Sequence, residues 1–372
     1  MENIVDKYNQ AERAGRATVS NRAIEAFSLE LWNTLGYPFK VETESELWRY
    51  HDVMQEGRFK KNLLEVGECS DHELNLIMNT AKQILSFSER HLPIRNSGKH
   101  ALTKALYQYK LTMRNRPHNN SLRILEIGPG SGYLGLLLAN DGHQYFAMDA
   151  AQAFYLYQKK LWSDIYGADY FDYSESTSRP DNAKVTHIPW WRFANLSIPI
   201  PDVDIMTCNH ALAEMHPEAV KTIFRRLYSA WGDTDAKLVL AETLGWQKLH
   251  RKQTIFQDIR NLGFYKIKAT KDVHVWKPNI ALSEEQEKEA KRRPRLTSKI
   301  KRRYLKLLEI SLRNLVLQHL AKLINRGPLH QANKDQLEEV MVHPLIDFFE
   351  LLIPDERTPD EIFDKPRIGE IK

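Results

Sequence analysis

The sequence predicts an α/β fold, in which a mostly parallel sheet is covered by helices. Two observations between residues 122 and 278 predict it: short apolar runs alternate with amphipathic segments, and the first apolar run ends in a glycine-rich turn. Strands that alternate with helices form βαβ units, whose strands pair in parallel. Helical patterns before and after this region predict a helical addition at each end of the chain.

The chain of 372 residues is long enough for one large domain with additions, or for two or three smaller parts. The pattern of apolar and polar residues changes at Leu122 and again after Pro278. These changes predict a helical N-terminal region over 1–119, a central α/β domain over 120–278 and a basic helical extension over 279–372.

The N-terminal region contains two clear helical patterns. Ala23–Leu35 and Asp71–Arg90 carry apolar residues at three- and four-residue spacing, which is typical of amphipathic helices. Asp71 is the predicted N-cap of the second helix, because a short acceptor side chain there satisfies free backbone N–H groups. The polar loop Asn115–Asn120, which contains Pro117, ends this region.

The central region is predicted to alternate between strands and helices. The predicted strands are Leu122–Ile127, Gln144–Asp149, Lys184–Ile188, Val203–Cys208, Lys237–Glu242, Phe264–Ala269 and Asp272–Trp276. The predicted helices are Tyr133–Asn140, Ala150–Tyr166, Pro217–Trp231 and Thr254–Leu262. Continuous apolar runs such as Leu238–Ala241 are typical of a parallel sheet, because its strands are buried on both faces.

Composition narrows the class of protein. Two cysteines, Cys69 and Cys208, make neither a disulfide framework nor a thiolate zinc cluster, so a reducing compartment fits best. The longest apolar stretches are far shorter than the roughly 20 residues of a membrane span, and the first residues lack the apolar core of a signal peptide. We therefore expect a cytoplasmic protein without a membrane span. A net charge of +5 does not by itself indicate a nucleic-acid partner.

The strongest signal is the segment Ile124–Leu134, where a buried strand ends in a Gly-Pro-Gly-Ser-Gly turn and a helix begins at once. Glycine lets the backbone approach a ligand closely, and the new helix offers unpaired N–H groups. Asp149 ends the next predicted strand, where a carboxylate can accept both hydroxyls of a ribose. The turn is therefore predicted to bind a cofactor that contains a ribose.

Two registers of the turn compete. The register that begins at Gly130 matches the dinucleotide fingerprint, but Pro129 then stands where the strand should run straight into the turn. The other register begins at the strand residue Glu126 and has glycine at alternate positions from Gly128 to Gly132. This second pattern resembles the first motif of class I S-adenosylmethionine-dependent methyltransferases.

The resemblance covers roughly Leu122–Pro278, and it includes the fourth-strand segment Asp202–Leu212 and a closing antiparallel strand. It implies a Rossmann-like sheet of seven mostly parallel strands and S-adenosylmethionine as the cofactor. The residues that it implies for cofactor binding are Glu126, Gly128 and Gly130 at the methionine end, Asp149 at the ribose, and Asn209 with its neighbours under the sulfonium. The acid that family members often have after the third strand is missing, so His187 or a backbone group is expected to contact the adenine.

Candidate catalytic bases follow the fourth and fifth strands, because an open parallel sheet binds its ligands outside the carboxyl ends of the strands. A base helps methyl transfer when the acceptor is a hydroxyl. His216 and His210 are candidates because imidazole titrates near neutral pH, and Glu242 ends the fifth predicted strand. The alternative to a catalytic role is that His210 packs beneath the cofactor, and for His216 it is that the residue lies on the surface.

Other features concern the acceptor and its surroundings. No metal site is predicted, since the nearby acids show no ligand spacing. Trp190 and Trp246 are expected to line the acceptor site, where a sugar or an aromatic group can stack on them. The N-terminal helices are expected to cap the cleft and select the acceptor. The basic segment Lys291–Arg303 is interpreted as a solvated helix face, with phosphate binding as the alternative.

The sequence therefore predicts S-adenosylmethionine-dependent methyl transfer to a hydroxyl of a sugar or another small molecule. The overall layout and the segment Asn209–His216 are similar to those of sugar O-methyltransferases. A protein or RNA acceptor and a non-catalytic, methyltransferase-like binding scaffold stay open as alternatives. Methylation of a nucleic-acid base is disfavoured, because Asn209–Leu212 lacks the motif of that reaction. A homo-oligomer also stays open.

Overall fold

The computed structural model describes residues 3–27, 39–53, 69–209, 211–231, 236–241, 252–269 and 273–278. The chain divides into two compact units, Met1–Pro278 with Phe349–Lys372 and Asn279–Phe348. Every described residue belongs to the first unit. The extension predicted over 279–372, including its basic segment, lies outside the described residues.

The described elements alternate along the chain much as the sequence predicts. The α-helices are α1 (Ile4–Arg16), α2 (Asn21–Ala26), α3 (Asp71–His91), α4 (Lys99–Arg114), α5 (Tyr133–Asn140), α6 (Gln152–Tyr166), α7 (Trp190–Ala194), α8 (Pro217–Trp231) and α9 (Lys252–Asn261). The strands are β1 (Arg123–Ile127), β2 (Gln144–Asp149), β3 (Tyr170–Asp172), β4 (Val185–Pro189), β5 (Ile205–Asn209), β6 (Lys237–Ala241), β7 (Phe264–Ala269) and β8 (Val273–Pro278). Short 3₁₀ helices cover Glu44–Tyr50, Gly167–Asp169 and Ala211–Ala213.

The described strands form one sheet in the order β3-β4-β2-β1-β5-β6-β8-β7. The strands from β3 to β6 pair in parallel, whereas β8 runs antiparallel to both β6 and β7. The predicted mostly parallel α/β sheet with an antiparallel last strand is confirmed. The sheet has one strand more than the seven expected, because Tyr170–Asp172 adds the short edge strand β3. Three residues are too few to produce a recognisable strand pattern.

The central strands are buried on both faces, as their apolar runs predict. Every residue of β5 is buried, and so is every residue of β1 after Arg123. The helix α5 packs closely on β2 at Gly135, where a Cβ would lie 2.3 Å from the ring of Tyr145. Seven of the eight residues of α5 are buried, so this helix needs cover on the side that faces away from the sheet as well.

The helix α3 shows why a cap can be misplaced by one residue. The N-cap is Ser70, so the prediction of Asp71 was wrong. Ser70 Oγ accepts a hydrogen bond from the Glu73 N–H at 3.2 Å, and Glu73 Oε2 accepts one from the Ser70 N–H at 2.8 Å. This reciprocal pair is a capping box. Asp71 lies instead in the first turn, where a carboxylate interacts favourably with the helix dipole.

The N-terminal helices supply the cover that α5 needs. Asn140 Nδ2, at the end of α5, donates hydrogen bonds to Thr80 Oγ1 at 3.0 Å and Gln83 Oε1 at 2.8 Å, both on α3. Tyr109 Oη on α4 donates to Asp141 Oδ2 at 2.6 Å. The boundary predicted at residue 120 therefore marks the change from helices to strands within one compact unit.

Candidate functional site

The glycine-rich turn follows β1, the strand at which the strand order of the sheet reverses direction. β2 pairs with one edge of β1 and β5 with the other. At such a switch point, open α/β sheets form a crevice outside the carboxyl ends of the strands. The register pairs Ile127 with both Met148 and Cys208. The turn, Asp149 and Asn209 therefore come together at one edge of the sheet.

Two glycines shape the turn. Gly128 and Gly130 have φ angles of +70° and +61°, in the left-handed region that favours glycine. A Cβ on Gly128 would lie 2.6 Å from the Cβ of Ala211, whereas nothing lies within 4 Å of a Cβ on Gly130. Gly128 is therefore required by packing, and Gly130 faces open space in which a ligand can approach the backbone.

Glu126 lies beneath the turn and is fully buried. Its Oε2 accepts a hydrogen bond from Tyr145 Oη at 2.6 Å, and its Oε1 accepts one from Asn209 Nδ2 at 3.0 Å. Burial raises the pKa of Glu126, and these two hydrogen bonds oppose the rise. The structure thus brings Glu126 and Asn209 together, and their contact fastens β1 to β5 below the turn.

Asp149 ends β2 beside the turn and is only 5% exposed. Its Oδ1 accepts a hydrogen bond from the Ala151 N–H at 2.9 Å, and its Oδ2 accepts one from Gln158 Nε2 at 2.9 Å. The same Gln158 nitrogen donates to Gly130 O at 2.6 Å. Burial raises the pKa of Asp149 to about 6, although these hydrogen bonds oppose the rise.

Gln158 is a site residue that the sequence analysis missed. One side chain amide joins the glycine turn to the acid, and its Oε1 is buried without a hydrogen-bond partner. A buried acceptor without a partner raises the free energy of the folded chain. A signal was present, because Gln158 is a polar residue at helical spacing from Tyr155 and Trp162 on the buried face of α6.

The segment Phe39–Val53 lies over the same edge of the sheet. Ser131 Oγ in the turn donates a hydrogen bond to Tyr50 O at 2.9 Å. At the start of α6, the Ala153 N–H donates to Phe39 O at 2.9 Å, and Gln152 Oε1 accepts from the Val41 N–H at 2.8 Å. This part of the N-terminal region therefore lies beside the glycine turn and the start of α6.

A cavity of about 600 Å³ opens between α1, the segment at residues 40–42 and the start of α6. Its lining comprises Val5, Asp6, Asn9, Glu12, Arg13, Arg16, Lys40, Val41, Glu42 and Gln152. Three of these residues are acidic and three are basic, so the charges of the lining balance. Gln152 places this cavity three residues along the chain from Asp149.

His187 lies in the core among aromatic side chains. It is fully buried, and its ring stacks on Tyr155 with the ring centroids 3.5 Å apart. Burial lowers the pKa of His187 to about 3, so the ring is neutral. The residue stands two positions before the end of β4. This placement contradicts the expected contact of His187 with an adenine, because the ring is enclosed by aromatic side chains.

His216 lies immediately before α8 and acts as its cap. Its Nδ1 accepts a hydrogen bond from the Glu218 N–H at 3.2 Å, and its carbonyl oxygen accepts one from the Ala219 N–H at 2.9 Å. In a neutral imidazole one nitrogen accepts and the other carries the proton. The Nδ1 lone pair, which a base would use to take a proton from a hydroxyl substrate, already accepts this hydrogen bond. This arrangement argues against the predicted role of His216 as a base.

The remaining predicted residues divide into two groups. Trp190, which was expected to line the acceptor site, is buried and donates from Nε1 to Glu12 Oε1 at 3.1 Å. It therefore joins α7 to α1, and that expectation was wrong. His210, Glu242 and Trp246 lie outside the described residues.

Within the described ranges, no group of three or more His, Cys, Asp or Glu residues is arranged to hold a metal ion. None of the helices described above is long and apolar enough to cross a membrane.

No protein-family model and no curated protein matches the chain. Among solved structures, a TehB-like SAM-dependent methyltransferase from Corynebacterium glutamicum is 13% identical over 46% of this chain and 86% of its own, with a TM-score of 0.35. Magnesium protoporphyrin IX methyltransferase from Synechocystis with bound SAM is 15% identical over 67% of this chain and 96% of its own, with a TM-score of 0.35. The CcbJ methyltransferase from Streptomyces caelestis is 9% identical over 46% and 88%, with a TM-score of 0.34.

The fold is described from the strand order of the chain itself. The glycine turn follows the central strand β1, β2 and β5 flank that strand, and β8 is the reversed strand near the far edge. The chain therefore has an α/β, Rossmann-like fold with a mostly parallel sheet.

Proposed function

We propose that this chain binds S-adenosylmethionine and transfers its methyl group to a hydroxyl of a small molecule. The observation that carries the proposal is the bridge made by Gln158, which holds the open turn at Gly130 and the acid Asp149 together. A cofactor with a ribose and a charged amino-acid end requires an acid that accepts the ribose hydroxyls. It also requires accessible backbone nearby for the amino-acid end. Both stand at the switch point of the sheet.

The residues present fit this cofactor in three respects. Gly130 faces open space, Gln158 Oε1 is a buried acceptor without a partner, and Asp149 is a buried acid. Hydroxyl donors stabilise the charged form of a buried carboxylate, so a ribose would offset the cost of burying Asp149. In this proposal Asp149 holds the ribose and Gly128 and Gly130 hold the methionine end, while Glu126 and Asn209 support the turn from below.

The sulfonium group of this cofactor supplies an electrophilic methyl group for direct displacement. The role of the protein is to hold the acceptor hydroxyl in line with this methyl group and to take the proton of the hydroxyl. Because His216 caps α8, we place the base at His210 or Glu242. Asn209 pairs with Ala241 in the parallel register, so His210 and Glu242 directly follow two paired strand ends.

The cavity of about 600 Å³ beside α1 is the proposed entry for the acceptor. Its lining is polar, and the three acids and three bases favour a neutral, hydroxyl-rich molecule such as a sugar. A polyanion such as RNA is bound by an excess of positive charge, which this lining lacks. The balance of charges thus supports a small polar acceptor over RNA.

Calorimetric titration of the purified full chain with S-adenosylmethionine, S-adenosylhomocysteine and NAD tests the cofactor. We expect the first two to bind and NAD not to bind. Asp149→Asn should weaken binding by about 1–3 kcal/mol through the loss of charge-assisted hydrogen bonds, whereas Asp71→Asn, at an exposed acid on α3, should leave it unchanged. Binding of NAD alone, or of none of the three, would contradict the proposal, and the latter result would favour a non-catalytic scaffold.

The acceptor is tested separately, by formation of S-adenosylhomocysteine in the presence of a panel of sugars and other polyhydroxy compounds. We expect turnover with at least one hydroxyl acceptor. Methylation of a peptide or of RNA, with none of the hydroxyl compounds, would overturn the proposed acceptor and leave the cofactor in place.

A further inference from the structure

We propose a second ligand site, for a phosphate group, in a cavity on the face of the sheet opposite Asp149. The cavity has a volume of about 200 Å³ and lies between β2, β4, α7 and the segment at residues 198–201. Four arginines line it, and they define the arginine pocket: Arg123, Arg179, Arg192 and Arg226. Phe146, which also lines it, stands three residues before Asp149 on β2, so the two side chains point to opposite faces.

Each guanidinium group in the arginine pocket lies over an aromatic ring. Arg123 and Arg179 share Phe146, with their guanidinium carbons 5.7 Å and 5.0 Å from its centroid. Arg192 lies 4.0 Å from the centroid of Tyr173. Burial lowers the pKa of Arg179, and the neighbouring positive charge of Arg123 contributes to the decrease. An anion bound in this cavity would reduce the repulsion between the positive charges.

No acid is among the residues that line the arginine pocket, although the charge of Asp181 acts on Arg179. Among the described residues, Asp202 is the acid that forms an ion pair with one of the four arginines, at 3.0 Å from Arg123 Nη1, and its side chain is 74% exposed. Arg226 is only 7% exposed, yet it donates to the neutral carbonyl oxygens of Asn195 and Ile198. Burying a charge among neutral partners raises the free energy of the folded chain, and an anionic ligand would offset this increase.

Two donors in the arginine pocket have no partner. Arg123 Nε and Arg226 Nε are both buried without a hydrogen bond, and buried N–H groups of this kind require an explanation. A phosphate group has several acceptor oxygens and about two negative charges near neutral pH, so it can satisfy several guanidinium groups at once. A carboxylate has one charge and two oxygens. The number and the charge of these donors therefore favour phosphate.

The rest of the lining suggests what the phosphate is attached to. Ile198, Pro199, Ile200 and Pro201 form an apolar wall of the same cavity. Inorganic phosphate would leave this wall uncovered, whereas the organic part of a phosphate ester would lie against it. The ligand class is thus a phosphate group, and a phosphate ester uses more of the lining than the free ion.

Arg192 offers a clean test. Apart from its position over Tyr173, its guanidinium makes no hydrogen bond or ion pair with any described residue, so Arg192→Gln removes a charge without breaking a contact that the fold needs. Arg225→Gln is the matched control, because Arg225 precedes Arg226 on α8 and is exposed. Arg192→Lys is a second variant that retains the charge and loses the planar group.

The full chain and its variants are titrated with inorganic phosphate, phenyl phosphate and acetate by calorimetry. We expect both phosphates to bind, phenyl phosphate more tightly, and acetate to bind more weakly than either. Arg192→Gln should weaken phosphate binding about tenfold or more, Arg192→Lys should weaken it less, and Arg225→Gln should leave it unchanged. Equal affinity for the two phosphates would identify the free ion as the ligand.

Three results would overturn the phosphate site: no phosphate binding by the natural chain, affinity unaffected by Arg192→Gln, or acetate binding as tight as phosphate. Thermal unfolding of each variant shows whether it is folded. Titration of the same samples with S-adenosylmethionine reports on the crevice at Asp149. Loss of the phosphate site and failure of the proposed cofactor site are therefore separate outcomes.

Discussion

Asp149 is under two opposing demands. Its position at the end of β2 suits the binding of ribose hydroxyls, but its burial makes the charged form unfavourable. The Ala151 N–H and the Gln158 amide offset part of this cost. Residues kept for binding often lower the stability of the folded chain. A substitution of Asp149 should therefore raise the stability of the folded chain and lower its affinity for the cofactor.

Asp149→Asn should stabilise the protein at neutral to alkaline pH. The folded pKa of about 6 lies above the ordinary value of 3.8, so the folded chain holds this proton more tightly than the unfolded chain. Ionisation of Asp149 thus lowers stability as the pH rises from about 4 to about 6, by roughly 3 kcal/mol in total. We expect the variant to be more stable by up to this amount near pH 8, with the difference vanishing near pH 4.

Urea unfolding at both pH values measures this difference, and Asp71→Asn serves as the exposed control. An Asp149→Asn variant that is less stable than the natural chain near pH 8 would contradict a burial cost at this acid.

Neighbouring lysines on α6 should differ sharply in their contribution to stability. Lys159 and Asp172 form a buried pair at 2.9 Å, with side chains 10% and 1% exposed. Lys160 pairs with the more exposed Glu44. Lys159→Met should cost about 3–5 kcal/mol, because it removes the positive charge beside a buried carboxylate, whereas Lys160→Met should cost about 0–1 kcal/mol.

The measurement for the two lysines is the free energy of unfolding in denaturant near neutral pH. Equal losses in the two variants would show that the pair at Asp172 is not more important than a surface pair.

At the scale of elements, a buried polar cluster fastens the segment Phe39–Val53 to the sheet domain. The ring of His51 lies 2.9 Å from Tyr157 Oη on α6 and 2.8 Å from Asn96 O. Tyr133 Oη on α5 donates to His51 O at 2.6 Å. Buried networks whose members are satisfied hold a unique arrangement of the elements they join. The segment over the crevice is thus part of the folded core.

Tyr133→Phe tests this cluster with the loss of a single oxygen atom. The substitution removes the hydroxyl that contacts His51 and Tyr157 in a buried position, so the free energy of unfolding should fall by about 1–3 kcal/mol. Tyr265→Phe removes an exposed hydroxyl from β7 and should change stability by less than about 0.5 kcal/mol. Chemical denaturation of both variants gives the comparison, and a neutral Tyr133→Phe would mean that the cluster does not hold the segment.

At the scale of the whole molecule, we expect the sheet domain to need the N-terminal helices in order to fold. The helix α5 is buried on every side, with β2 on one side and α3 and α4 on the other. A chain that began at residue 120 would expose the leucines of α5 to water, at about 1.5–3 kcal/mol for each fully buried side chain. The expected loss is of the same order as the whole stability of a domain.

A chain beginning at residue 120 should therefore show no cooperative unfolding transition, whereas a chain beginning at residue 3 should unfold cooperatively. Far-UV circular dichroism during thermal and urea unfolding makes the comparison. A sharp transition in the shorter chain would show that the sheet domain is independent of the helices that precede it.

The sequence by itself determined the order of the elements and the place of the turn. Apolar runs and helical spacing report local geometry and average burial, and for that reason the range of α8 and the parallel sheet could be predicted. The glycine turn and Asp149 could be predicted because a strand that ends in glycines before a helix is a local pattern. The three-residue strand β3 produced no such pattern.

Only the tertiary structure decided what each buried polar group contacts. Glu126 meets Asn209, 83 residues later, and His51 meets Tyr157, 106 residues later. The ring of His187 is enclosed in the core, and the four arginines of the arginine pocket come from one strand, one loop and two helices. Contacts between distant parts of a chain depend on which faces pack together, and residue spacing contains no record of that packing.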